Sequence, residues 1–129
     1  MRVRPLILWL PEPDRALSPN ARVFWARRHR AAAAARGVAC VLMRAVLRRW
    51  RAVGVRMSGY RIVLYPRSAR RRDVDNCVAS CKAYLDGCAR ALCQDDCEWR
   101  LFGACVRRSE RRRGVVAIVF YPCKEVAHG

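Results

Sequence analysis

The chain's pattern predicts a mixed α/β domain: a small four-stranded mixed sheet, elements in the order β-α-β-α-β-β, with two helices packed on it. Three observations carry that prediction. Four short runs rich in β-branched and aromatic residues are bounded by proline, glycine or charge, as strands are. Two long stretches between them are built from Ala, Leu, Arg and Met or show a helical apolar period. The last run, Gly114 to Tyr121, is almost wholly apolar, which predicts a strand buried on both faces. At 129 residues the chain is read as a single domain, 1–129, able to bury a real core.

Residues 2 to 10 form the first expected strand, ended by Pro11. Pro11 to Pro19 holds three prolines and must be a loop. Ser18-Pro19-Asn20 reads as a turn into a helix, with Asn20 a candidate cap. The first helix is expected from about Arg27 to Val53. Val38, Leu42, Ala45, Leu47 and Trp50 would supply its core side, and Arg44, Arg48 and Arg51 another face. Gly37 would kink this helix or mark its start, the Ala31 to Ala35 run suggests no role, and Gly54 would end it. Tyr60 to Tyr65 alternates as a second strand closed by Pro66, and Arg67 to Arg72 is a basic connector. A central helix follows over roughly 75–92, then a turn through Gln94, Asp95 and Asp96 and a third strand from about Glu98 to Val106. Arg107 to Arg113 reads as a hairpin turn before the last strand, and the tail after Pro122 as frayed.

A net charge of +17 points to a polyanionic partner, nucleic acid being the usual one. Only Lys82 and Lys124 are lysines among 27 basic residues. Arginine's planar fork suits phosphate, although a skewed genome composition would enrich it equally. No apolar run reaches the length of a membrane span, and the short apolar start before Pro11 does not resemble an export signal, so a cytoplasmic protein is expected. Its eight cysteines are then expected to stay reduced and mostly to pack in the core. Their closest spacing is C-x3-C, at Cys77 with Cys81 and Cys93 with Cys97, a weaker zinc or redox signal than C-x2-C.

The acids are the informative residues. Sixteen arginines and no acid lie between Arg15 and Arg72, whereas six of the ten acids fall between Arg70 and Arg100. Val74, Val78, Cys81, Leu85, Cys88 and Leu92 recur at spacings of 4, 3, 4, 3 and 4, the core stripe of a helix. On that wheel Asp75, Lys82 and Asp86 share a face, and Lys82 would lean toward Asp75. Asp73 and Asp75, two apart in chain entering a helix, would point the same way. Joined by Asp95 or Asp96, they would make an all-oxygen pocket suited to Mg²⁺, with Mn²⁺ a substitute. Each piece has a plainer reading: Asp73 or Asp75 as a helix cap, Asp95-Asp96 as a solvated turn, Lys82 with Asp86 as a surface i, i+4 pair.

Taken together, R-R-D-V-D-N at Arg71 to Asn76, K-A-Y-L-D at Lys82 to Asp86, and Asp95-Asp96 resemble the RusA-type Holliday-junction resolvases. L-S-P-N-A-R at Leu17 to Arg22, followed by Trp25, Arg27 and Arg28, is similar to that family's N-terminal loop. The resemblance spans nearly the whole chain and implies a homodimeric, Mg²⁺-dependent endonuclease, often phage-derived, that cuts four-way DNA junctions. It implies Asp73, Asp75 and Asp96 as catalytic acids, with Asp95 a further metal ligand. Asn20, Arg22, Arg27, Arg28, Arg70, Arg71, Arg72, Asn76, Arg111 and Arg112 would hold DNA. One departure stands out. The family's catalytic lysine lies three residues after the Asn, where this chain has Ala79, and Lys82 comes three residues later, as though a helical turn had been inserted. Lys82 is the candidate for that role, and a non-catalytic junction-binding relative is the alternative.

Overall fold

The computed structural model describes residues 4–52 and 54–123. Residues 2–3 of the first expected strand, Val53, and the tail from 124, with Lys124, lie outside the described residues. Four strands, β1 (Leu6–Pro11), β2 (Met57–Tyr65), β3 (Arg100–Val106) and β4 (Val115–Pro122), form one mixed sheet in the order β1-β4-β2-β3. Three helices accompany it: α1 (Trp25–Arg49), α2 (Val74–Ser80) and α3 (Lys82–Leu92). Short 3-10 turns lie at Arg15–Leu17 and Asp96–Glu98. The mixed α/β class and the four-stranded mixed sheet are as the sequence predicts.

The connectivity differs at one point. β4 runs antiparallel to both β1 and β2, while β3 runs parallel to β2 on its other side. Residues 107 to 113 therefore do not close a hairpin; they cross the end of β2. Arg107 N donates to Leu64 O at 2.8 Å and Gly114 N to Tyr65 O at 2.8 Å, which fixes that crossing. Gly114 sits there at φ +71°, a conformation that favours glycine. β4 is not buried on both faces: Val115, Val119 and Tyr121, on the side away from the helices, are only half-buried, because the helices pack against one face of the sheet. Along it Val116, Ile118 and Phe120 are fully buried on the helix side.

Leu6, Leu8, Leu10, Ile62, Leu64, Val116, Ile118 and Phe120 share one core with Ala35, Ala39 and Met43 of α1 and Tyr84, Leu85 and Cys88 of α3. The expected core stripe of α1 is thus displaced. Val38 and Trp50 are 42% and 51% exposed, Leu42 and Leu47 pack only partly against the core, and Ala35, Ala39, Cys40 and Met43 are the buried residues of the helix. The reason is close approach: a Cβ on Gly87 of α3 would collide with the Arg36 carbonyl oxygen and lie 3.0 Å from the Ala39 Cβ. Only small residues fit between axes that near. α1 runs unbroken through Gly37, starts at Trp25 with Phe24 rather than Asn20 as its cap, and ends before Gly54. Arg51, at φ 51°, turns the chain out of it.

The central helix is two helices. At Cys81 (φ −88°, ψ −1°) the chain makes a turn, and α3 starts afresh at Lys82. A single 100° wheel does not extend across this break. Cys81, Leu85 and Cys88 of the expected stripe are buried, yet Val74 is 36% exposed and Tyr84 is buried off the stripe. Tyr84 donates its hydroxyl to Pro11 O at 2.6 Å, and burial pushes its pKa to about 12.

All eight cysteines are free. Cys40, Cys77, Cys81 and Cys88 are buried as expected, whereas Cys93, Cys97 and Cys123 are exposed, so packing accounts for only half of them. The Cys77 and Cys81 thiols interact at the helix break, which lowers the Cys77 pKa and, with burial, raises that of Cys81. No described helix is long and apolar enough to cross a membrane.

Candidate functional site

Asp73 ends the basic connector in extended conformation and caps α2, its Oδ1 accepting from Asp75 N at 2.9 Å. The capping reading therefore holds for Asp73. It does not preclude a further role, because the carboxylate is exposed and keeps its second oxygen. Asp75 lies in the first turn of α2, exposed, and Asn76 beside it is half-buried.

The helix break at Cys81 decides where Lys82 goes. As the first residue of α3, its ammonium donates to Asp96, fourteen residues away, and lies 3.0 Å from Asp86 Oδ1. The expected lean toward Asp75 is replaced by these two partners, because the break at Cys81 resets the direction of the side chain. The hydrogen bond that Lys82 donates to Asp96, and then the one to Asp86, raise the Lys82 pKa. Lys82 is accordingly cationic at neutral pH and is no general base. It can stabilise negative charge.

Asp96 is delivered to Lys82 by a clamp that the sequence reading treated only as a turn. α3 ends at Cys93 in left-handed conformation (φ 53°), which turns the chain back toward β2. There the buried Gln94 behaves like a strand residue. Its Oε1 accepts from Met57 N at 2.8 Å and its Nε2 donates to Met57 O at 2.9 Å. Gln94 Nε2 also donates to Glu98 at 3.0 Å, and Glu98 pairs with Arg56. Asp95, pinned between, caps the 3-10 turn by accepting from Cys97 N at 3.0 Å. That backbone bond holds its pKa below the ordinary range. Tyr60 on β2 faces the same corner, in the fields of Lys82 and Asp96, and burial raises its pKa. A glutamine next to an Asp-Asp pair was the one available hint; its partners, 37 residues away, were not.

The structure thus brings together Lys82, Asp86, Asp96 and Tyr60, with Asp95 adjoining. Asp73 and Asp75 stand at the start of α2. Among the described residues no three His, Cys, Asp or Glu side chains converge on a common ion position. The donor chemistry nevertheless fits a hard cation: Asp73, Asp75 and Asp95 are exposed carboxylates, and the bonds that hold Asp73 and Asp95 each use one oxygen.

The arginines divide into engaged and free. Arg72 pairs with Glu12 at 3.1 Å, half-buried, and its Nε is buried without a hydrogen bond, so its guanidinium braces the connector against the loop after β1. Arg108 donates to Ser68 O and Arg70 O, each at 2.9 Å, and holds the connector to the 107–113 crossing. Arg112 lies 4.1 Å from the centroid of the Trp9 ring. Arg27 is 3.7 Å from Asp14, and Arg28 donates to Ala21 O at 2.9 Å. Asn20, Arg22, Arg70, Arg71 and Arg111 are exposed. Two basic segments, distant in sequence, thereby form one rim.

No protein-family model matches the chain. A similar relative is known. Over 92 residues the chain is 42% identical to an uncharacterized protein of Xylella fastidiosa, a stretch covering 69% of this chain and 59% of that protein. The chain spans less than two thirds of its relative's length.

Proposed function

We propose that the protein is a Mg²⁺-dependent endodeoxyribonuclease acting on four-way or otherwise branched DNA, in recombination, repair or phage DNA processing. The supporting observation is the corner at which Lys82 is held by Asp96 and Asp86 on an otherwise strongly basic molecule. Structural ion pairs are commonplace on surfaces, but Lys82 is the only lysine among the described residues, and a dedicated clamp delivers its partner. Asp73, Asp75 and Asp96, with Asp95, would hold Mg²⁺ or Mn²⁺, which when bound supplies Lewis acidity to the phosphodiester. Lys82 stabilises charge developing on the phosphate, and the exposed Arg70, Arg71 and Arg111 hold the strands without reading sequence. A two-fold homodimer presents two such corners to a two-fold junction.

The competing reading is a junction-binding protein that does not cut. Two observations favour it: among the described residues no three metal donors converge, and Lys82 already pairs with Asp96. Incubation of the protein with a four-way junction, with and without Mg²⁺, separates the two. Cleavage is expected only with Mg²⁺ or Mn²⁺, and Asp75→Asn is expected to lower it at least a hundredfold, on the order of 3 kcal/mol in the barrier, with binding retained. Absence of metal-dependent cutting on every branched DNA tried would retire the nuclease and leave the binding protein.

A further inference from the structure

Two large aromatic side chains stand in solvent where the chain enters α1. Phe24 is 86% exposed and Trp25 79%, more than any other large apolar residue described. Neither ring packs, and neither serves the helix. Phe24 is the N-cap residue and makes no side-chain cap bond, at a position where Ser, Thr, Asp or Asn is strongly preferred. Their surroundings are basic: Arg22, Arg27, His29 and Arg30 are exposed, and no acid occurs from Arg15 to Arg72.

We propose that Phe24 and Trp25 form a stacking platform for unpaired nucleobases, with Arg22 and Arg30 meeting the adjacent phosphates. Aromatic rings stack on any base, so the platform recognises strand opening and not sequence. The charge selects the occupant. A second copy seated here two-fold would set Arg22, Arg27 and Arg30 against their own counterparts, whereas a nucleic-acid strand offers π-faces and phosphates together. The inference rests on DNA with opened base pairs being the ligand, as at a branch point, and needs no cleavage.

The test uses the full chain in EDTA, so that nothing is cut. Binding is measured to a single strand, a perfect duplex with the same number of phosphates, and a four-way junction carrying 2-aminopurine at the branch. Wild-type protein is expected to quench the 2-aminopurine and to prefer the single strand over the duplex. The F24A/W25A double variant should lose roughly tenfold in single-strand affinity, change duplex affinity by less than about twofold, and leave 2-aminopurine unquenched. F24Y/W25F should retain both properties. Equal losses on single strand and duplex, or wild-type binding without preference, would overturn the platform. So would sedimentation showing that the double variant breaks a dimer the wild type forms, which would assign the rings to a second copy. Quenching without Mg²⁺-dependent cutting sinks the nuclease and keeps the platform; cutting without quenching does the reverse.

Discussion

Gln94 shows how a single side chain can hold a site together. Its amide closes both hydrogen bonds of Met57's main chain, in a buried position where water cannot replace it. Gln94→Ala leaves a buried N–H and C=O unpaired and should cost about 2–4 kcal/mol by urea unfolding. Gln94→Glu should do little better, since a carboxylate cannot donate to Met57 O and faces Glu98. Titration of the two capping and bridging charges gives a second prediction. Lys82's folded pKa is raised, so its contribution is complete below the ordinary 10.5 and is lost as pH rises through the raised value. Asp95's is lowered, so its contribution is complete above the ordinary 3.8 and is lost as pH falls through the lowered value. The difference in urea midpoint between wild type and Lys82→Met should therefore stay flat from pH 7 to 10 and shrink beyond. Asp95→Asn, which keeps the cap but not the charge, should converge with wild type only in strong acid.

Among elements, the α1–α3 contact is set by size more than by hydrophobicity. Ala39 is fully buried and Gly87 faces the Arg36 carbonyl with no room for a methyl group. Helix propensity alone would favour Gly87→Ala by about 1 kcal/mol. The backbone oxygen cannot swing aside as a side chain could, so the helices must separate, and overpacking should make the variant less stable by about 1–3 kcal/mol net. A rise in thermal midpoint for Gly87→Ala would contradict this packing. The break between α2 and α3 belongs to the same scale. It places Lys82 at the start of α3 and directs that lysine to Asp96, which arrives from the turn after the same helix.

Across the whole molecule the charge is unevenly available. Arg70 and Arg71 are exposed, while Arg72, their neighbour, is committed to Glu12. Binding to a DNA junction should weaken steeply with salt, and Arg70→Ala or Arg71→Ala should each reduce the slope of log K against log salt by up to about 0.9. Arg72→Ala should instead lower the urea midpoint and leave the slope nearly unchanged. Equal slope changes for all three would show that the Glu12 pair opens when DNA binds.

What the residue pattern determined alone is whatever depends on near neighbours. Periodicity located the four strands and the helical stretches, composition dictated the basic surface, and the spacing of acids singled out the region from Asp73 to Asp96. Asp73 as a cap was equally legible, because capping is a contact across two residues. Tertiary structure decided what depends on distant partners. The order β1-β4-β2-β3 arises because β2 pairs with both β3 and β4, which no local turn signal at 107–113 reveals. The core side of α1 lies partly off the expected stripe because Gly87 of α3 approaches it at Arg36 and Ala39, a contact no local pattern reveals. Lys82 turned to Asp96 because a helix break cancels the wheel that aimed it at Asp75, and Gln94 gained its importance from a strand 37 residues away. Local sequence sets backbone preference within a few residues, but the packing of separate segments chooses which side chains meet.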